Sequence, residues 1–183
     1  MSELQNQLSQ IEMNHSVSKQ QIVDQVSALM KSDGYTIVER NDQKPWGAYL
    51  RLDNSDADSF VNEFFPGLDP VDARLGNVAA ELSPKILLVS PNQRLSWQYH
   101  DRRAERWVFL TAGGYNKSMT DDEGELKTAT AGEIVQFIES ERHRLVGRVG
   151  AYAIVAEIWQ HTDPDNPSNE NDIVRLQDDY SRD

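Results

Sequence analysis

The sequence predicts an all-β fold, a sandwich or barrel, behind a helical N-terminal extension, and three observations carry that prediction. After Ser83 the chain passes through seven short runs, "KILLVS", "RLSWQYH", "RWVFLTAG", "ELKTATAG", "EIVQFIE", "HRLVGRV" and "YAIVAEIWQ", separated by Pro, Gly, Asn and Asp. Ahead of them, "SKQQIVDQVSALMKSDG" spaces its apolar residues as a helix does. The chain has 183 residues, 38% of them hydrophobic, enough for one sizeable core.

Residues 1–17 are polar and lack a convincing period, so a frayed tail or poorly packed helix is expected, with His15 exposed on it. The first strong helix starts at Ser18 as N-cap, places Ile22, Val26, Leu29 and Met30 on one stripe, and stops at Lys31 and Gly34. "YTIVER" follows as a strand. In "NDQKPWGAYLRL", Pro45 breaks the run and Gly47 permits an unusual backbone angle. "DADSFVNEFFPG" is a second helix with Phe60, Phe64 and Phe65, closed by Pro66 and Gly67, and "LDPVDARLGN" is a loop. Beyond the seven strands, the tail from His161 opens as a polar loop and regains apolar residues at "DIVRL". The expected division is an extension over residues 1–43 and a barrel with its tail over 44–183.

Lys and Arg total 18 against 30 Asp and Glu, a net charge of -12, so a nucleic-acid backbone would be repelled and an anionic ligand needs a local basic pocket. With no cysteine, disulfides and thiolate ligands are excluded, leaving imidazole, carboxylate, amide and water oxygens for any metal. "MSELQNQLSQ" has no leader character and no apolar run is long enough for a bilayer; a soluble, unprocessed, cytoplasmic protein without membrane partners is expected.

One stretch concentrates chemistry: "RLSWQYHDRRAERW", residues 94–107. Strand alternation sends Ser96, Gln98 and His100 to one face and Trp97 and Tyr99 to the other, where the rings would pack on a helix or a partner subunit. Glu105, past the turn "DRRA", and His143, in "ERHRL", could join Gln98 and His100 in a set of nitrogen and oxygen ligands suited to zinc or another divalent first-row metal. Spacing alone equally allows solvated polar side chains on an open sheet face.

Residues 94–107 and 132–145 resemble the two cupin motifs, an HxH followed by Glu and Gly, then Gly, Pro, Gly, His and Asn. "KPWGAY", "LSWQYHDRRAERW", "ERHRL" and "NDIVRLQDDYSR" are more closely similar to segments of the cupin-type mannose-6-phosphate isomerases, including a related group labelled phosphoheptose isomerase, in order over residues 44–182. The resemblance implies a cupin double-stranded β-helix, or jelly roll. It also implies one divalent ion held by Gln98, His100, Glu105 and His143, zinc in the first place with manganese, nickel or iron as alternatives. The chain departs from the motifs where Ile138, Ser140 and Gly147 replace Pro, Gly and Asn, and where Ala112 takes a glycine's place with Gly113 one residue late.

The implied reaction interconverts an aldose phosphate and a ketose phosphate by moving a proton through an enediolate, which needs oxyanion stabilisation, a base tuned near neutrality and cations for the phosphate. Arg175 and Lys85 are the candidates for cationic stabilisation. Arg102, Arg103 and Arg142 either fork a phosphate or make surface ion pairs. Glu157 is either a base with a raised pKa or a structural carboxylate paired with an arginine, and His161 is the other base, or a surface histidine. Trp46 forms a lip against the sugar or packs in the core. Two alternatives stand beside the isomerase: a non-catalytic cupin that binds a sugar phosphate or nucleotide sugar, and an iron-dependent dioxygenase, against which Gln98 as a fourth protein ligand speaks. A homodimer is expected, relieving an open β edge or the outer face with Trp97 and Tyr99.

Overall fold

The computed structural model describes residues 1–13 and 16–180; His15 lies outside them. Eleven strands, counted among the described residues, form two antiparallel sheets. The first sheet runs in the order β1 (Ile37–Asn41), β2 (Gly47–Leu52), β3 (Lys85–Val89), β10 (Ala153–His161), β5 (Arg103–Phe109) and β8 (Ile134–Phe137). The second runs β11 (Val174–Gln177), β4 (Trp97–Tyr99), β9 (Arg142–Val146), β6 (Gly113–Ser118) and β7 (Lys127–Ala129). Three of these strands were not expected: β2, in the run that Pro45 breaks, β6 and, in the tail, β11. β1 pairs with β2 in the first sheet, so that sheet begins ahead of residue 44.

Alternation on the central strands divides the core. Ile86, Leu88, Val108, Ile154, Ala156 and Ile158 turn to the outside of the first sheet and meet a helical layer, while Leu87, Phe109, Val155, Phe137 and Leu145 fill the space between the sheets. That two-sided burial explains why β3 and β10 read as near-continuous apolar runs. The helical layer comprises α1 (Glu3–Ser9), α2 (Lys19–Ser32), α3 (Ala57–Phe64) and the single turn α4 (Pro70–Ala73). Ser18 caps α2 with a full capping box to Gln21. The N-terminal segment is not frayed: Leu4, Leu8 and Ile11, at i, i+4 and i+7, are buried in the same core, and Gln5 Nε2 donates to the Glu63 carbonyl at 2.6 Å.

The first strong departure from the expected faces concerns Trp97. Its ring does point away from the barrel, but it is fully buried under the chain's own loop, with Nε1 donating to the Asp121 carbonyl at 2.8 Å. Tyr99 is covered by the Arg142 guanidinium, 4.3 Å from the ring centre. A partner subunit is therefore not needed to cover this face.

The motif departures have local causes. A Cβ at Gly147 would stand 2.2 Å from the Ser90 carbonyl oxygen, which excludes asparagine there, and a Cβ at Gly113 would stand 2.7 Å from the Phe109 ring. The Ile138 N–H donates to Glu141 Oε2 at 3.1 Å, a bond proline would abolish. Ser140 keeps the glycine-like geometry, with φ at +60°, and its N–H donates to the His100 carbonyl at 2.9 Å. Ser140→Gly is accordingly expected to stabilise the fold by about 0.5–1 kcal/mol, read from urea denaturation.

Candidate metal centre

Strand register brings the polar residues of the barrel interior together. On the second sheet Gln98 of β4 stands opposite His143 of β9 on one side and Arg175 of β11 on the other. On the first sheet Glu157 of β10 stands opposite Lys85 of β3 and Trp107 of β5, and Trp159 opposite Glu105. The two rows face each other across one end of the barrel. The other end is filled by apolar side chains.

His100, Glu105 and His143 converge so that one ligand atom from each lies within 4.8 Å of the others. All three are buried, at 2%, 2% and 1% exposure. His100 Nδ1 bonds the Asp172 carbonyl at 2.6 Å and His143 Nδ1 bonds the Glu141 carbonyl at 2.8 Å. A carbonyl only accepts, so each Nδ1 carries the proton and each Nε2 turns a lone pair inward. Burial lowers the His100 pKa, against the pull of Glu105. Phe137 stacks on the His143 ring at 4.6 Å and Trp107 meets it edge-on at 5.4 Å, a dry wall that fixes its plane.

These tautomers set acceptors against acceptors. His100 Nε2 lies 3.1 Å from Glu105 Oε1, and His143 Nε2 lies 3.3 Å from Glu105 Oε2. Neither pair can be a hydrogen bond without an added proton, and among the described residues Glu105 Oε2 and His143 Nε2 have no hydrogen-bond partner. Burial by itself would raise the Glu105 carboxyl, but the Arg103 guanidinium, donating to it, holds it well below the usual carboxylate range. Two inward imidazole lone pairs and an ionised carboxylate, with Glu105 Oε2 and His143 Nε2 left unpaired, fit a divalent first-row ion. The backbone carbonyls on both Nδ1 atoms are the outer partners such ligands ordinarily have.

Gln98 belongs to the same wall, yet its Oε1 accepts the Ser96 hydroxyl at 2.6 Å. The converging donors are thus two histidines and one carboxylate, with Gln98 alongside.

Of the two readings of Arg102, Arg103 and Arg142, phosphate fork or ion pairing, the contacts favour pairing. Arg103 is buried: its Nε donates to Glu105 Oε1 at 2.9 Å, its Nη2 approaches His100 Nε2 at 3.3 Å, and its Nη1 binds Ser168, Asn169 and Asp172. Its guanidinium also lies 3.9 Å from the centre of the Trp159 ring. Arg102 reaches away to Asn166 and the Pro167 carbonyl, and Arg142 binds Asp121 and the Ser140 carbonyl; neither borders the cavity. His161 is not on the surface: Nε2 bonds the Glu81 carbonyl and Nδ1 accepts the Ser168 N–H, so both nitrogens are committed.

The cavity beside the three ligands has a volume of about 350 Å³. Glu105 and Arg103 mark its metal end, Lys85 and Glu157 one wall, Gln98 and Arg175 the other, and Trp46 its edge. Trp46 is buried and stacked on Tyr49 at 6.4 Å, and it borders the cavity. Burial, with Glu105 nearby, pushes the Glu157 carboxyl up to about 7, while Lys85, 3.8 Å away, works against that rise. Its Oε2 accepts the Trp107 indole N–H at 3.1 Å, and among the described residues no arginine makes a salt bridge to it.

Sequence reasoning missed Asp172 and Glu170. The Asp172 carboxylate accepts the N–H groups of Asp101 and Arg102 and the Ser168 hydroxyl, holding its carbonyl on His100. The tail segment around it was singled out by resemblance, but a backbone carbonyl carries no residue signature.

No family model and no curated protein matches the chain by sequence. Solved structures match by fold. The capsular polysaccharide assembling protein CapF from Staphylococcus aureus aligns over 85% of this chain and 38% of that one, with a TM-score of 0.51 and 12% identity. An arginine-to-alanine mutant of oxalate decarboxylase OxdC from Bacillus subtilis aligns over 75% and 30%, with a TM-score of 0.51 and 11% identity. A sugar phosphate isomerase from a cupin superfamily, from Silicibacter pomeroyi, aligns more loosely over 62% and 60%, with a TM-score of 0.42 and 14% identity. The chain thus spans only 38% and 30% of the first two proteins. The fold is the all-β cupin barrel. Among the described residues no helix is long and apolar enough to cross a membrane.

Proposed function

We propose that this cupin barrel is a metal-dependent sugar-phosphate aldose–ketose isomerase that works through an enediolate. The observation that carries the reading is that Glu105, the carboxylate of the His100–Glu105–His143 ligand set, lines one cavity together with a second buried carboxyl, Glu157, raised to about 7. A divalent ion held by those three residues would polarise the sugar's carbonyl and hydroxyl oxygens. Glu157 is then the base that moves the proton between neighbouring carbons, since a pKa near neutrality serves both removal and return. Arg175, on the wall opposite Glu157, supplies positive charge for the developing oxyanion. Trp46 closes the cavity edge against water. Incubation with mannose 6-phosphate and heptose phosphates in heavy water tests the proposal: deuterium should enter C2 or C1 with metal present, and its absence across the panel with metal-loaded protein would overturn it.

One observation favours a second reading. With Gln98 Oε1 bound to Ser96, two histidines and one carboxylate leave coordination positions open, the arrangement of iron oxygenases. Oxygen uptake by ferrous-loaded protein on a substrate panel separates the two.

A further inference from the structure

The cavity already holds one carboxylate where a ligand's anion would go. Glu170 comes from the loop between β10 and β11, and its side chain is 54% exposed. One of its oxygens, Oε1, lies 2.8 Å from Lys85 Nζ and accepts the Ser83 hydroxyl at 2.9 Å. Both partners belong to the barrel and are buried. Lys85 is further fixed by the Trp159 ring, whose centre lies 4.2 Å from Nζ. Ser83 holds φ at +46°, a left-handed conformation that serine adopts at a cost, and strain of that kind gathers where a polar group must be aimed.

We infer that Ser83 and Lys85 form an anion subsite for the phosphate group of a sugar phosphate, and that the Glu170 carboxylate fills this subsite until the phosphate displaces it. Charge decides which carboxylate leaves. Lys85 lies between Glu157 and Glu170 and cannot accept a third anion beside both. Glu157 is buried and held by the Trp107 indole, whereas Glu170 reaches in from solvent and can return there with its hydration restored. The arrangement also answers where phosphate binds, given that Arg102 and Arg142 face elsewhere and Arg103 is committed to Glu105. The identity of the anion's carrier rests on the isomerase reading; binding of phosphate at Ser83 and Lys85 does not depend on turnover.

The test is calorimetry with inorganic phosphate on the full chain, with chelator present so that phosphate bound by a metal is not counted. Glu170→Gln should tighten phosphate by about 10-fold or more, and Lys85→Met should weaken it by about the same factor. Ser83→Gly removes the hydroxyl while relieving the backbone, so its several-fold loss cannot be misfolding. Mannose 6-phosphate should follow phosphate through the three variants, and mannose should not. Unchanged phosphate affinity in Glu170→Gln, or phosphate binding that Lys85→Met leaves intact, overturns the subsite. Tighter phosphate in Glu170→Gln without proton exchange on any sugar phosphate would keep the subsite and remove the isomerase reading.

Discussion

Replacing His100 or His143 by alanine is expected to empty the barrel of metal. Each histidine supplies one of three converging donors, and loss of a direct ligand should lower affinity by more than the roughly 10–100-fold typical of outer-partner changes. The wild-type chain should bind one divalent ion per molecule by elemental analysis, and each variant should fall to background. Stability should follow occupancy. At a free metal concentration about 1,000 times Kd, binding adds about 4 kcal/mol, which for a chain of this length is a rise in melting temperature of roughly 8–16 °C, reversed by chelator and absent in the variants. Glu105→Gln should behave as the histidine variants do, because an amide cannot supply the charge that two neutral imidazoles lack. A wild-type chain that binds no divalent ion even in excess would overturn the metal centre and both enzymatic readings with it.

Glu157→Gln is expected to make the protein inactive and, at alkaline pH, more stable. Loss of a general base typically costs about 10²–10⁴-fold in rate. The stability effect has the opposite sign. The folded barrel raises the Glu157 carboxyl to about 7, above its ordinary 4.5, so folding favours the protonated form. Its stabilising contribution is fully present below about pH 4.5 and is lost as pH rises through about 7. The loss is on the order of 3 kcal/mol at most, and the Lys85 contact reduces it. Glutamine stays neutral throughout, so the variant should lack this pH slope and exceed the wild type above pH 7 in urea denaturation with chelator present. Metal should flatten the wild-type slope too, because an ion at Glu105 offsets the negative charge that helps raise Glu157. Equal slopes for wild type and variant would show that Glu157 is ionised throughout and remove it as the base.

The ligand set was legible because its elements are local. His100 and Glu105 sit on one strand and the strand after its turn, and His143 pairs directly with Gln98, so alternation and ordered resemblance together pointed at them. The arginines were illegible for the converse reason. Arg102 is claimed by Asn166 and Arg142 by Asp121, partners 64 and 21 residues away that no spacing rule connects. α1 was missed because its buried positions, Leu4 and Leu8, stand alone among polar neighbours. β6 and β11 were missed because glycines and charges occupy places that only sheet pairing makes extended.

The Asp172 carbonyl on His100 has a consequence for the order of events in the cell. A ribosome delivers the three ligands by residue 143, yet the group that sets the His100 tautomer arrives 29 residues later, and β10, which joins β3 to β5, is made in between. During synthesis the imidazole is free to turn, and the first sheet has no centre. Metal capture in its mature geometry must therefore be a late event, following translation of the tail. A chain truncated between residues 145 and 165 and released from the ribosome carries every ligand and should still hold an ion loosely, a difference that metal titration of the truncated chain measures.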